Sequence, residues 1–206
     1  MELFSNNAEF KMDVLREVGN IGAGHAATAL SRLLDKPVDM AVPKVSFIPF
    51  EEIAERVGGA EEIVVAIFLR VEGEAPGNMF FLMSQFQARA LLQGLLSFEQ
   101  SSDGPSYTEM EMSALSEIGN ILAGSYLSSL ADLTGLPLSP TVPAIAVDMA
   151  GAILTYGLVQ FGTMGDEALL IDTTFMEDDR KAEGHFFFIP DPESFERLFR
   201  ALGVPI

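Results

Sequence analysis

The sequence predicts an α+β fold in which two repeats, about residues 8–97 and 108–203, are related by a pseudo-two-fold within a single domain spanning 1–206. Three observations predict it. The stretch Asp13-Val-Leu-Arg-Glu17-Val-Gly-Asn20-Ile-Gly-Ala-Gly24 returns one hundred positions later as Ser113-Ala-Leu-Ser-Glu117-Ile-Gly-Asn120-Ile-Leu-Ala-Gly124. Leu30/Leu130, Leu33/Leu133, Pro37/Pro137, Val42/Val142 and Pro43/Pro143 also match without a gap. Each half then shows the same order of elements: helix–strand–helix–strand–strand–helix.

In the first half a long helix is expected over 8–34, capped by Asn6 with Glu9 and stopped at Asp35-Lys-Pro37. Val38–Phe47 is rich in β-branched residues and reads as a strand, with Pro43 marking an edge or a bend. Pro49–Val57 reads as a short helix stopped by Gly58-Gly59. Glu62–Val71 and Asn78–Met83 are strands of a hairpin, and Gln85–Leu96 is an amphipathic helix before a linker at 97–106. In the second half Thr108-Glu-Met-Glu111 is a capping box for a helix to Thr134, ended by Gly135-Leu-Pro137. Leu138–Val147 is a strand. Asp148–Gln160 is ambiguous by periodicity and is assigned as helix from the repeat. Ala168–Phe175 and His185–Pro190 are strands around a charged turn, Met176–Gly184, and Pro192–Leu202 is the closing helix.

Composition narrows the functional classes. Apolar residues make up 49% of the 206, enough for a packed core, and there is no cysteine for disulfides or thiol chemistry. No apolar run approaches the length of a transmembrane helix, and the N-terminus has no signal-like pattern, so a cytoplasmic protein without membrane insertion is expected. A formal charge of −18 repels phosphate backbones and anionic lipid. Nucleic acid is therefore not an expected partner, whereas a protein presenting a Lys or Arg is.

On a helical wheel Asp13, Glu17, Asn20 and Gly24 fall within about 60°, while Val14, Leu15, Val18, Ile21, Ala26, Leu30 and Leu33 form an apolar arc. Asn and Gly disfavour a helix interior by roughly 0.5–1 kcal/mol each relative to Ala, so their use in both copies needs a reason. One reason is close packing at the glycines. The other is chemistry: a carboxamide can hold a water by donating and accepting at once, and a carboxylate can anchor a cation. Neither is a nucleophile, so the face reads as half of a site that a partner completes. His25 and His185 form no metal pattern, and His25 reads as structural. Ser113 at the position of Asp13 argues against a metal at Asp13 and Glu17, and no metal site is expected. Ser125, Ser128 and Ser129 read as ordinary helix residues, and Phe186-Phe187-Phe188 as a core strand.

The doubled Asp/Ser-x3-Glu-x2-Asn-x3-Gly helix resembles the signature of the CheC/CheX/FliY family of bacterial chemotaxis phosphatases, and the likeness covers essentially the whole chain. The resemblance implies hydrolysis of the aspartyl phosphate on the response regulator CheY. It implies that Glu17 and Glu117 contact the regulator's active-site Lys, and that Asn20 and Asn120 orient the attacking water. Asp13, Gly24, Ser113 and Gly124 would support the motif. Mg²⁺ would belong to the regulator, with no cofactor of this protein's own. The receptor deamidase CheD is a second implied partner. A non-catalytic adaptor binding CheY or CheD is the alternative, and a flagellar-switch component is disfavoured because no switch-type domain is read in the sequence. Leu122 in place of Gly22 is the visible difference between copies.

Overall fold

The computed structural model describes residues 2–96, 106–161, 167–177 and 180–202. Helix α1 spans Glu2–Leu34. It begins before the expected cap, because nothing between Glu2 and Ser5 breaks a helix, and Asn6 and Glu9 lie inside it. It ends at Asp35, in the left-handed region with φ 50°, just ahead of Pro37. Strand β1, Asp39–Pro49, is an edge strand, and its register slips between Ala41 and Lys44, where Pro43 withholds an N–H. A 3-10 turn, Phe50–Glu52, leads into the short helix α2, Ile53–Arg56, which ends at Gly58 and Gly59 with positive φ. Strands β2, Ile63–Gly73, and β3, Gly77–Ser84, form the expected hairpin, followed by α3, Gln85–Leu96. The expected linker lies outside the described residues, apart from Ser106.

Helix α4, Glu109–Thr134, starts with the expected capping box. The Glu111 N–H donates to Thr108 Oγ1 at 3.2 Å, and the Thr108 N–H donates to Glu111 Oε2 at 2.7 Å. Gly135, at φ 68°, terminates the helix. The expected strand Leu138–Val147 is broken into β4, Leu138–Pro140, and β5, Ala144–Met149, because Pro140 and Pro143 interrupt the ladder. Helix α5, Ala150–Phe161, bears out the assignment taken from the repeat. Strands β6, Glu167–Glu177, and β7, Arg180–Pro190, run much further than expected. They pair out to Glu177 opposite Arg180, so most of Met176–Gly184 is strand rather than turn. The signal was period two beneath the charges: Lys181 and Glu183 are exposed, Ala182 and Gly184 buried. Helix α6, Pro192–Ala201, closes the fold.

The strands form one sheet in the order β1-β6-β7-β3-β2-β4, with β5 also on β2. Outward from the central β7–β3 pair the two sides mirror each other. The first strand of each half is exchanged: β1 pairs with β6, and β4 and β5 pair with β2. Central β3 is buried on both faces and alternates between two cores. Met79, Phe81 and Met83 join α1, α3 and α4, whereas Phe80 and Leu82 join Ile53 of α2 and Ile153 and Leu154 of α5. Phe186 and Phe188 face the first core and Phe187 the second, as a core strand requires. The result is the expected α+β class, with α1 and α4 packed side by side over one face of the sheet.

Candidate functional site

The two motif helices meet through their small residues. A Cβ on Gly22 would come within 2.6 Å of the Tyr126 ring and 3.1 Å of its Cα, so α1 touches α4 there because position 22 has no side chain. A Cβ on Gly119 would lie 2.7 Å from Ile67, and one on Gly19 3.2 Å from Val42. Close packing therefore explains three of the motif glycines. It does not explain Gly24 or Gly124, where an added Cβ would meet nothing within 4 Å.

Leu15, Val18, Ala26 and Leu30 of α1 are buried, as are Leu115, Ile118, Leu122 and Leu127 of α4. Of the residues placed on the apolar arc, Val14 is half-buried and two are exposed. Ile21 is 41% exposed, since it lies only about 40° from Glu17 on the wheel. Leu33 is exposed because Leu30 and Leu34 make the core contact at that end. Leu122, where the first copy has Gly22, is fully buried in the core.

Burying one face of each helix forces the other outward. Asp13, Glu17 and Asn20 on α1 and Ser113, Glu117 and Asn120 on α4 are all exposed. Among the described residues, the side chains of Glu17, Asn20, Glu117 and Asn120 make no hydrogen bond or ion pair. Asp13 accepts from Arg16 at 3.0 Å. The Gly24 carbonyl accepts from Thr28 Oγ1 at 2.9 Å. The structure thus brings Glu and Asn together one turn apart, twice, on open surface. Among the described residues no group of three or more His, Asp or Glu side chains converges as metal ligands, and no helix is long and apolar enough to cross a membrane.

Two polar contacts brace the helices, one of them buried. The Tyr126 and Thr173 hydroxyls share a 3.0 Å hydrogen bond between α4 and β6, and burial pushes the Tyr126 hydroxyl up to about 12. His25 Nδ1 lies 3.4 Å from Ser129 Oγ, tying α1 to α4, and Ser129 is buried. Two side-chain pairings escaped sequence reasoning. His185 Nδ1 sits 2.7 Å from Asp172 Oδ1, and Arg70 forms a two-pronged pair with Asp191, one contact being 2.8 Å. Neither has a sequence signal, because each depends on strand register or on a separation of more than one hundred residues.

Comparison with known proteins fits this geometry. The sequence model of the CheC-like family matches twice, at residues 10–47 and 110–147. The chain is 44% identical, over the full length of both sequences, to a Bacillus subtilis protein named CheY-P phosphatase CheC. It is 28% identical to the flagellar motor switch phosphatase FliY of the same organism, over 67% of this chain and 36% of that one. Among solved structures, Thermotoga maritima FliY shares the fold with a TM-score of 0.72 at 18% identity, covering 93% of this chain and 95% of that one. The FliM middle domain from H. pylori shares it with a TM-score of 0.65 at 9% identity, covering 92% and 96%. The two family matches fall on the helices that expose the Glu–Asn pairs, and full-length identity of 44% joins them to the rest of the fold: the chain belongs to the CheC-like family.

Proposed function

We propose that this protein is a phosphatase that hydrolyses the aspartyl phosphate of the response regulator CheY. The observation that carries the reading is the pair of unpartnered Glu–Asn faces on α1 and α4 in a chain 44% identical to a CheY-P phosphatase. An acyl phosphate is already reactive, so the protein has to position a water rather than generate a nucleophile. Asn20 and Asn120 reach into the regulator's site. Each carboxamide accepts from the attacking water with its oxygen and aims it at phosphorus. Glu17 and Glu117 sit one turn earlier and anchor the regulator's active-site Lys. Mg²⁺ comes with the regulator. Gly24 and Gly124 leave room for its backbone at the face. CheD is the second partner, and the site of action is the cytoplasm.

Glu contacts the partner before and during reaction, while Asn is needed chiefly in the transition state. Decay of phosphorylated CheY with Mg²⁺ tests this. Asn20→Ala and Asn120→Ala should each retain one working site. The double variant should lose about 10²–10³ in rate while staying folded, by analogy with removing one positioned hydrogen-bonding group. Glu17→Ala with Glu117→Ala should weaken binding more than the Asn changes. A folded double Asn variant that still works at the unmutated rate refutes the mechanism. Binding by the unmutated chain with decay at the regulator's intrinsic rate would make the protein an adaptor instead.

A further inference from the structure

The two motif helices are alike in position but unlike in charge. On α1, Arg16 lies one turn before Asn20, about 40° from it on the wheel. Its side chain is 55% exposed and pairs with Asp13 at 3.0 Å, an i,i+3 contact on open surface that opens at little cost. The equivalent positions on α4 are Ser113 and Ser116. Helix α4 has no Lys or Arg anywhere between Glu109 and Thr134, and its charged residues are Glu109, Glu111, Glu117 and Asp132. The whole chain carries −18 with only 12 basic residues, so a cation on the motif face is a scarce resource. An anionic phosphorylated site approaching α4 meets only like charge from the helix's own side chains.

We infer that Arg16 exchanges Asp13 for an anionic group at the regulator's phosphorylated site, giving the α1 site an electrostatically assisted docking that the α4 site lacks. The inference rests on the proposed phosphatase function. Arg16 is a docking residue and Asp13 holds it in place until the partner arrives. Its contribution falls on association and is screened by salt. The two sites of one molecule are therefore unequal: α1 is the more salt-sensitive of the two, because Arg16 adds to the Glu–Lys contact that both share.

Single-site chains read this directly. Asn120→Ala leaves α1 in use, and Asn20→Ala leaves α4. Adding Arg16→Gln to the Asn120→Ala chain should lower kcat/KM about fivefold at low ionic strength through KM, with kcat changed less than about twofold, and the loss should shrink as salt is added. Arg16→Lys should restore most of it. Ser116→Arg in the Asn20→Ala chain should lower KM and raise the salt dependence of α4. Weakened binding of phosphorylated regulator alone identifies the anion as the phosphoryl group, and equal weakening with unphosphorylated regulator identifies it as a carboxylate beside it. Unchanged KM and salt dependence on losing Arg16 in the Asn120→Ala chain would overturn the inference, as would activity confined to α4. An unmutated chain without activity rejects the proposed function as well, whereas an active chain indifferent to Arg16 rejects only this.

Discussion

Gly22 and Gly24, two positions apart, should respond oppositely to the same substitution. Gly22→Ala drives a methyl into Tyr126, where backbone as well as ring stands in the way, and should destabilise by about 1–3 kcal/mol in a urea titration. Gly24→Ala meets open space and removes a poor helix former, so it should stabilise by up to about 1 kcal/mol. On the proposed mechanism the same methyl intrudes where the regulator docks, so activity should fall as stability rises. Gly24→Ala with full activity would remove close approach as the reason for this glycine. The motif was legible in the sequence because helical geometry alone puts Glu17 and Asn20 on one face. The edge of that face was not: Ile21 was assigned inward by its hydrophobicity, although its angle places it beside Glu17. Whether a borderline residue is buried depends on what packs there, which the periodicity of one helix does not contain.

Helix α4 offers two tests at the scale of an element. Thr108→Ala removes the hydroxyl that accepts from the Glu111 N–H and should cost about 1 kcal/mol of stability, measured by thermal or urea unfolding. Tyr126 fixes the middle of the same helix to β6, and its hydroxyl titrates at about 12, against about 10 in the unfolded chain. Folding thus favours the neutral phenol. That contribution is complete below about pH 10 and is lost as pH rises towards about 12, a change on the order of 3 kcal/mol. Tyr126→Phe should flatten this alkaline limb, visible as a smaller difference in urea midpoint between pH 9 and pH 11. Three helix ends were readable because caps and stop signals are local: Thr108, Gly135 and Asp35-Lys-Pro37 act where expected, whereas α1 runs straight through the cap expected at Asn6 and Glu9. Strand ends were less so. The β6–β7 hairpin carries charges on its exposed positions, and they mask the period-two pattern that buries Ala182 and Gly184.

At the scale of the molecule, strand exchange binds the halves to one fate. The first half alone, residues 1–97, would keep its β2–β3 hairpin but lose β6 opposite β1 and β4 and β5 opposite β2. It should not give a folded monomer; circular dichroism and size-exclusion chromatography should show an unfolded, aggregated or self-associated fragment. A monodisperse, cooperatively unfolding fragment monomer would contradict this. The repeat made the number and order of elements legible, but not which half supplies each neighbour in the sheet, because pairing across the halves leaves no trace in either half's hydrophobic pattern. The exchange also bears on heredity. Two identical chains trading first strands would form the same sheet, yet every substitution in such a pair appears twice, once on each helix. Joining the copies into one chain breaks that rule: Leu122 can stand where the other copy has Gly22, and Ser116 where it has Arg16, each free to drift while its counterpart stays as it was.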